Sequence, residues 1–188
     1  MDPSTVEEAD MEQFAPDPGI NRGRGHTSHS RIKDTEQVVE FVIGDEMFAV
    51  DLFDTREVIT TPTVTPIPNV PEFITGMIDL RGVITTIIDL RVMMHITQES
   101  TGKKRSRVIV LDKTVSEKMI GILVDDVYSV TTYSKNDIDQ EAHSSSESSR
   151  DILGVIRKHR KDGKGKDKSL LVIWLDIKKM IQRIEKDL

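Results

Sequence analysis

From Gln37 onward, apolar and polar side chains alternate in short runs separated by turn residues. In 39–43, Val39, Phe41 and Ile43 fall on one face, Gly44-Asp45-Glu46 supplies a turn, and Phe48, Val50 and Leu52 fall together in 47–52. A period of two on both sides of a tight turn predicts a β-hairpin. A further extended piece follows at 55–60. Pro62, Pro66, Pro68 and Pro71 then exclude a central strand, because proline has no N–H to give to a ladder. Two extended runs, 77–81 and 83–89, lie either side of Gly82. The second, Val-Ile-Thr-Thr-Ile-Ile-Asp, suits a buried strand, and 90–96 suits a short helix.

A polar linker at 97–105 precedes two strong strands, 107–111 and 119–124, joined by a hairpin loop at 112–118. Residues 127–133 continue extended. A long polar loop at 135–150 holds Ser144, Ser145, Ser146, Ser148 and Ser149, and the last strands, 152–156 and 170–175, enclose a basic loop. Asp176 is placed to cap a C-terminal helix, in which Ile177, Met180, Ile181, Ile184 and Leu188 form one apolar stripe that should dock on a sheet. Residues 1–35 show no such periodicity. They are acidic first, then basic around Arg22, Arg24 and Arg31, and rich in Gly and Pro, which predicts a disordered tail. The expected organisation is therefore a tail, 1–35, and a domain, 36–188, with a subdomain division near 97–106. Many short strands with frequent turns predict barrels or a sandwich.

Composition agrees with strands. Val and Ile dominate the apolar residues of the 188-residue chain, and aromatics are only 4%. The net charge of −6, from 26 basic and 32 acidic residues, gives no nucleic-acid footprint. With no cysteine, disulfides, thiolate metal sites and cysteine nucleophiles are excluded together. The acidic start lacks the basic-then-apolar pattern of a secretory signal, and no apolar run reaches the roughly 18 residues of a membrane span. A cytoplasmic protein without membrane insertion is expected.

Candidate chemistry is sparse. His26 and His29 sit in the tail, while His95, His143 and His159 are scattered, so no metal is expected. Gly163-Lys164-Gly165-Lys166 and Gly102-Lys103-Lys104 lack the phosphate-loop spacing and context, so no cofactor is expected either. Asp125 and Asp126 end a strand and point to opposite faces, which suits them poorly to shared acid–base work. Asp79 and Asp89 flank a turn and are read as acceptors for backbone donors. Patterns of the G-x-S-x-G type are absent, and with them the case for a hydrolase. Two arginines, Arg81 and Arg91, bracket a strongly apolar strand. For Arg81 the plain reading is a side chain that caps a carbonyl or pairs with Glu57 or Asp79.

The stretch from Asn69 to Arg91, Asn-Val-Pro-Glu-Phe-Ile-Thr-Gly-Met-Ile-Asp-Leu-Arg-Gly-Val-Ile-Thr-Thr-Ile-Ile-Asp-Leu-Arg, resembles the signature of the CheW family of chemotaxis coupling proteins. That signature runs proline, a G-hydrophobic-x-N-L-R-G turn, then an apolar strand ending in D-L-R. The opening hairpin Phe41-Val-Ile-Gly-Asp-Glu-Met-Phe-Ala-Val-Asp51, the strand Ile120-Gly-Ile-Leu-Val-Asp-Asp-Val127, Ile152-Leu-Gly-Val155 and the terminal strand and helix are similar to the family's in the same order. Asp79 replaces the usual Asn, and Thr86 stands where Pro is common. The resemblance implies an all-β fold of two intertwined five-stranded SH3-like β-barrels with a C-terminal helix. It implies no catalysis, but an adaptor bridging chemoreceptor cytoplasmic tips to the regulatory domain of the histidine kinase CheA in membrane-associated arrays. A related array, such as one for twitching motility, is the alternative. The family's partner-binding positions fall on Arg81 and Gly82 of the turn and on Thr55 and Glu57 after the first hairpin.

Overall fold

A computed structural model of the chain describes residues 34–98, 105–141, 150–161 and 167–185. Nearly all of the expected tail, the serine-rich segment 144–149, both glycine–lysine loops and Leu188 lie outside the described residues. Among the described residues there are eleven strands and two helices: β1 (Thr35–Ile43), β2 (Glu46–Asp51), β3 (Thr55–Thr60), β4 (Ile74–Leu80), β5 (Val83–Asp89), α1 (Leu90–Met93), β6 (Arg107–Leu111), β7 (Ile120–Val124), β8 (Asp126–Ser134), β9 (Ile138–Asp139), β10 (Ile152–Lys161), β11 (Asp167–Leu175) and α2 (Ile177–Ile184).

The strands form two sheets, one in the order β8-β1-β2-β11-β10-β9 and one in the order β3-β6-β7-β5-β4. The chain enters the first sheet, crosses at the short 3-10 turn Leu52–Asp54, builds the whole second sheet, and returns through the single residue Asp125 into β8. The two units are thus intertwined, as expected. The division expected near 97–106 does not coincide with a change of sheet, because both β5 and β6 belong to the second one. Polar composition marks a connection there, and composition does not say whether the strands on either side of it share a sheet.

Neighbouring residues on the central strands face different cores. Val38, Ala49, Ile156, Val172, Trp174 and Tyr133 fill the inside of the first sheet. Ile78, Ile87, Val108 and Val110 fill the inside of the second. Between the sheets lies a third and largest core containing Val39, Phe41, Phe48, Val50, Ile88, Ile109, Leu111, Ile122 and Leu175. Val38 and Val39, Ile87 and Ile88, and Val108 and Ile109 therefore point opposite ways and are all buried, as alternation along a strand requires. Asp176 caps α2 by accepting from the Lys179 N–H at 3.0 Å. Ile177, Met180, Ile181 and Ile184 all join the central core, so the predicted stripe docks where expected. Arg183 to Asp151 at 2.6 Å and Lys178 to Asp54 at 2.7 Å hold the helix from either side. The Asp54 carboxylate raises the Lys178 pKa above its ordinary value, and partial burial opposes that only in part.

Neither ladder closes on itself by strand pairing, yet each sheet is curled. In the first, the end strands β8 and β9 are joined by the 3-10 turn Lys135–Asp137. Glu40 of β1 meets Lys158 of β10 at 2.6 Å across a gap of two intervening strands. Glu40 is fully buried, and its carboxylate also accepts from the hydroxyls of Tyr133 and Ser129. Burial pushes the Glu40 carboxyl up, but the hydrogen bonds from Lys158, Tyr133 and Ser129 outweigh it and hold the group below its ordinary value. Burial, and then the Glu40 carboxylate, push the Tyr133 phenol well above its own.

The proline loop docks on β4. Thr65 exchanges two backbone hydrogen bonds of 2.8 Å with Met77. Gly76 beneath it has φ +149, and a Cβ there would sit 2.2 Å from the Thr65 carbonyl oxygen.

Two outcomes are expected. Gly76→Ala should lose about 2 kcal/mol or more of unfolding free energy in urea, because the intruding atom meets backbone that cannot move aside. An unchanged midpoint would refute the close approach. Glu40 has a depressed folded pKa, so its contribution is complete above the unfolded value of about 4.3 and is lost as pH falls through the folded value. Stability measured from about pH 5 to pH 3 should therefore fall less steeply in Glu40→Gln than in the wild type. Equal slopes would mean that the carboxyl titrates as a free one.

Candidate functional site

The turn between β4 and β5 has two residues, closed by the pair Leu80 and Val83. Arg81 has φ +54 and Gly82 φ +83, and positive φ at both central positions is the type I′ geometry that matches strand twist. Gly82 takes this conformation freely, while Arg81 does so against its Cβ. Asp79 steadies the turn by accepting the Gly82 N–H at 2.6 Å, in the role of acceptor for a backbone N–H that the sequence indicates.

From this turn the Arg81 guanidinium reaches Glu57 on β3. Its two terminal nitrogens donate to the two carboxylate oxygens at 3.3 and 3.0 Å, a fork-on-fork pair. β3 and β4 are opposite edges of the second sheet, so the pair spans the seam of the curled sheet. Arg81 remains 77% exposed and Glu57 23%. Exposed apolar side chains stand on the flanking strands: Val83 and Ile84 just after the turn, Met77 on β4 and Val58 next to Glu57. Arg81, Gly82 and Glu57 are thus brought together. Thr55 opens β3 opposite Leu111, and its hydroxyl donates to the Asp51 carbonyl at 3.3 Å. A register shift between Thr55 and Glu57 separates it from the pair.

Arg91 has a different place. Asp89 caps α1 through the N–H groups of Arg91 and Val92, at 2.9 and 3.3 Å. This aims the Arg91 side chain at Asp125, with which it forms a largely buried ion pair. The same Asp125 oxygen accepts the Gly44 N–H at 2.7 Å, and the Asp125 N–H donates to the Val42 carbonyl at 3.0 Å. Asp125 therefore ties the β1–β2 turn of the first sheet to the β5–α1 corner of the second, at the residue where the chain passes between them. Sequence reasoning set Asp125 aside as a poor acid–base group. The signal for its architectural role was its place in the two-residue gap, Asp125 and Asp126, between two strand runs. Exposed Phe53, in the other crossing, was also not singled out.

Among the described residues no group of three or more His, Asp or Glu side chains could hold a metal, and no helix is long and apolar enough to cross a membrane.

The family model for the CheW-like domain matches residues 37–185. The chain belongs to the CheW-like family. Its members are scaffold and adaptor proteins of chemotaxis, not enzymes. The chemotaxis protein CheW of Thermotoga maritima is 30% identical over 150 residues, 79% of this chain and 89% of that protein. That of Rhizobium meliloti is 28% identical over 102 residues, 54% of this chain and 64% of that protein, so there the chain spans less than two thirds of the relative's length. The crystal structure of the scaffolding protein TtCheW from Thermoanaerobacter tengcongensis matches with a TM-score of 0.61 at 27% identity, over 74% of this chain and 83% of that one. In this CheW-like domain the D-L-R and V-D-D motifs meet in the Arg91–Asp125 clasp, while the R-G turn projects outward.

The two arginines should separate in stability measurements. Arg91→Ala leaves Asp125 without its cationic partner in a mostly buried position and should cost about 2–3 kcal/mol of unfolding free energy. Arg81→Ala breaks an exposed pair and should cost under about 1 kcal/mol. Equal losses in the two variants would contradict this division.

Proposed function

We propose that this chain couples chemoreceptor cytoplasmic tips to the regulatory domain of the histidine kinase CheA, with the Arg81–Glu57 seam as a partner contact. The observation that carries the reading is the exposure of Arg81. A guanidinium is held in a fixed direction by a strained turn and a forked ion pair, yet stays mostly open to solvent, with Val83 46% and Ile84 60% exposed beside it. An oriented arginine within apolar surface has the composition of an interface hot spot. Gly82 supports the contact by permitting the turn, and Thr55 by fixing the start of β3. Coupling is thermodynamic: each partner holds one face of the adaptor, and a change in one contact biases the other. The working place of such an adaptor is the cytoplasm, recruited to membrane-associated receptor arrays.

The test is a calorimetric titration of the full chain with the regulatory domain of CheA, repeated with Arg81→Glu. The wild type should bind saturably at about micromolar Kd, and charge reversal should weaken binding by about thirtyfold, equivalent to roughly 2 kcal/mol. No saturable binding by the wild type, or undiminished binding by a folded Arg81→Glu, overturns this assignment of the seam.

A further inference from the structure

β8 is an end strand of the first sheet and is open along its whole outer edge among the described residues. β8 pairs with β1 on one side only. The other edges are managed: β9 is two residues long, the part of β10 that runs past it opens with Arg157 and Lys158, β4 is bridged by Thr65, and β3 presents Arg56. β8 has nine residues, with no lysine, arginine or proline, and from Val127 to Ser134 it has no charge at all. Tyr128 and Val130 are 64% and 57% exposed.

The direction of its free backbone groups follows from the ladder. Thr35 lies opposite Ser134, and the Lys135 N–H donates to the Asp34 carbonyl at 2.9 Å. Asp34 and Lys135 therefore form a directly hydrogen-bonded pair, and every second pair from there repeats it. Tyr133, Thr131 and Ser129 turn their backbone groups toward β1. Thr132 and Val130 turn theirs outward. The register shift between Glu40 and Phe41 places Tyr128 in a bulge and leaves the stretch from Ser129 onward as the regular edge.

We propose that β8 is a self-pairing edge, through which two copies of this chain join in an antiparallel β8–β8 ladder about a two-fold axis at Val130. An extended, uncharged segment with an open edge is the complement of itself, since whatever is free on one copy is free on the other. The antiparallel arrangement sets Val130 against its counterpart and Ser129 against Thr131 of the second copy, all within the regular stretch of the edge. It also sets the acidic end at Asp126 beside the basic end at Lys135, which is half exposed. A parallel arrangement would place Asp126 against Asp126. The edge belongs to the other sheet from the Arg81–Glu57 seam, so the inference stands independently of the function proposed above.

The chain has no cysteine, so an introduced pair reports on one contact alone. In an antiparallel hydrogen-bonded pair the Cα atoms lie about 5.5 Å apart, within disulfide reach. Under mild oxidation, Val130→Cys should form covalent dimer at least about tenfold faster than Val58→Cys, a comparably exposed position on β3. In sedimentation, the wild type should show dimer at concentrations up to about 100 μM. Val130→Lys, with an unchanged circular dichroism spectrum, should sediment as monomer under the same conditions, because a charge on each side of the axis opposes pairing. A wild-type chain that stays monomeric, a Val130→Cys that cross-links no faster than the control, or a dimer that persists in Val130→Lys overturns the proposal.

Discussion

The core between the two sheets is the constraint on which the remaining structure depends. β1, β2, β6 and β7 each bury side chains on it, and β1, β2 and β6 also bury side chains on a second, inner face. Neither curled sheet would keep its outer apolar face dry without the other, and α2 covers the part of this core that the sheets leave open. Stability at roughly 25 cal/mol per Å² of apolar area accumulates here because the same backbone serves two cores at once. The intertwined path follows from that: a chain that crosses to the second sheet and returns ties together the two surfaces that must stay in contact.

Polar groups work at the places where this packing is interrupted. Each curled sheet is left open by its strand ladder, and in each an ion pair joins strands that the ladder does not pair. Glu40–Lys158 lies within the first sheet, with the carboxylate removed from water and given hydroxyl donors as well. Arg81–Glu57 lies over the second, open to solvent. The junction of the two sheets carries the third pair, Arg91–Asp125, whose carboxylate also holds the turn at Gly44. The inner and junctional pairs serve architecture. The outer pair presents charge without being needed for the core, and this is the condition under which a surface residue is free to serve a partner.

Much of the fold was legible in the chain. The first hairpin, the strands around Gly82, the pair 107–111 and 119–124 and the capped C-terminal helix all follow from alternation, turn chemistry and residue type, while the structure chose Glu57 for Arg81 among the three partners its residue type allowed. β10 and β11 proved longer than their apolar runs. Beyond Arg157 and Leu171 neither strand of the ribbon has a further neighbour among the described residues, and the sequence there, Lys-His-Arg-Lys at the end of β10 and Asp-Lys-Ser at the start of β11, has no apolar alternation to mark it. β9 was invisible because two residues carry no period.

Sequence by itself determined the strand-rich class, the absence of cysteine chemistry, the position of the turns and the family, because these rest on local side-chain identity and order. Tertiary structure alone decided which of two adjacent apolar residues faces which core, where the chain changes sheets, and that Asp125 rather than Arg81 carries the junction. Those outcomes depend on which strands become neighbours. β5 with β7 and β2 with β11 pair in parallel across long stretches of chain. That choice is made by the burial of both strand faces together, and no local window of sequence contains it.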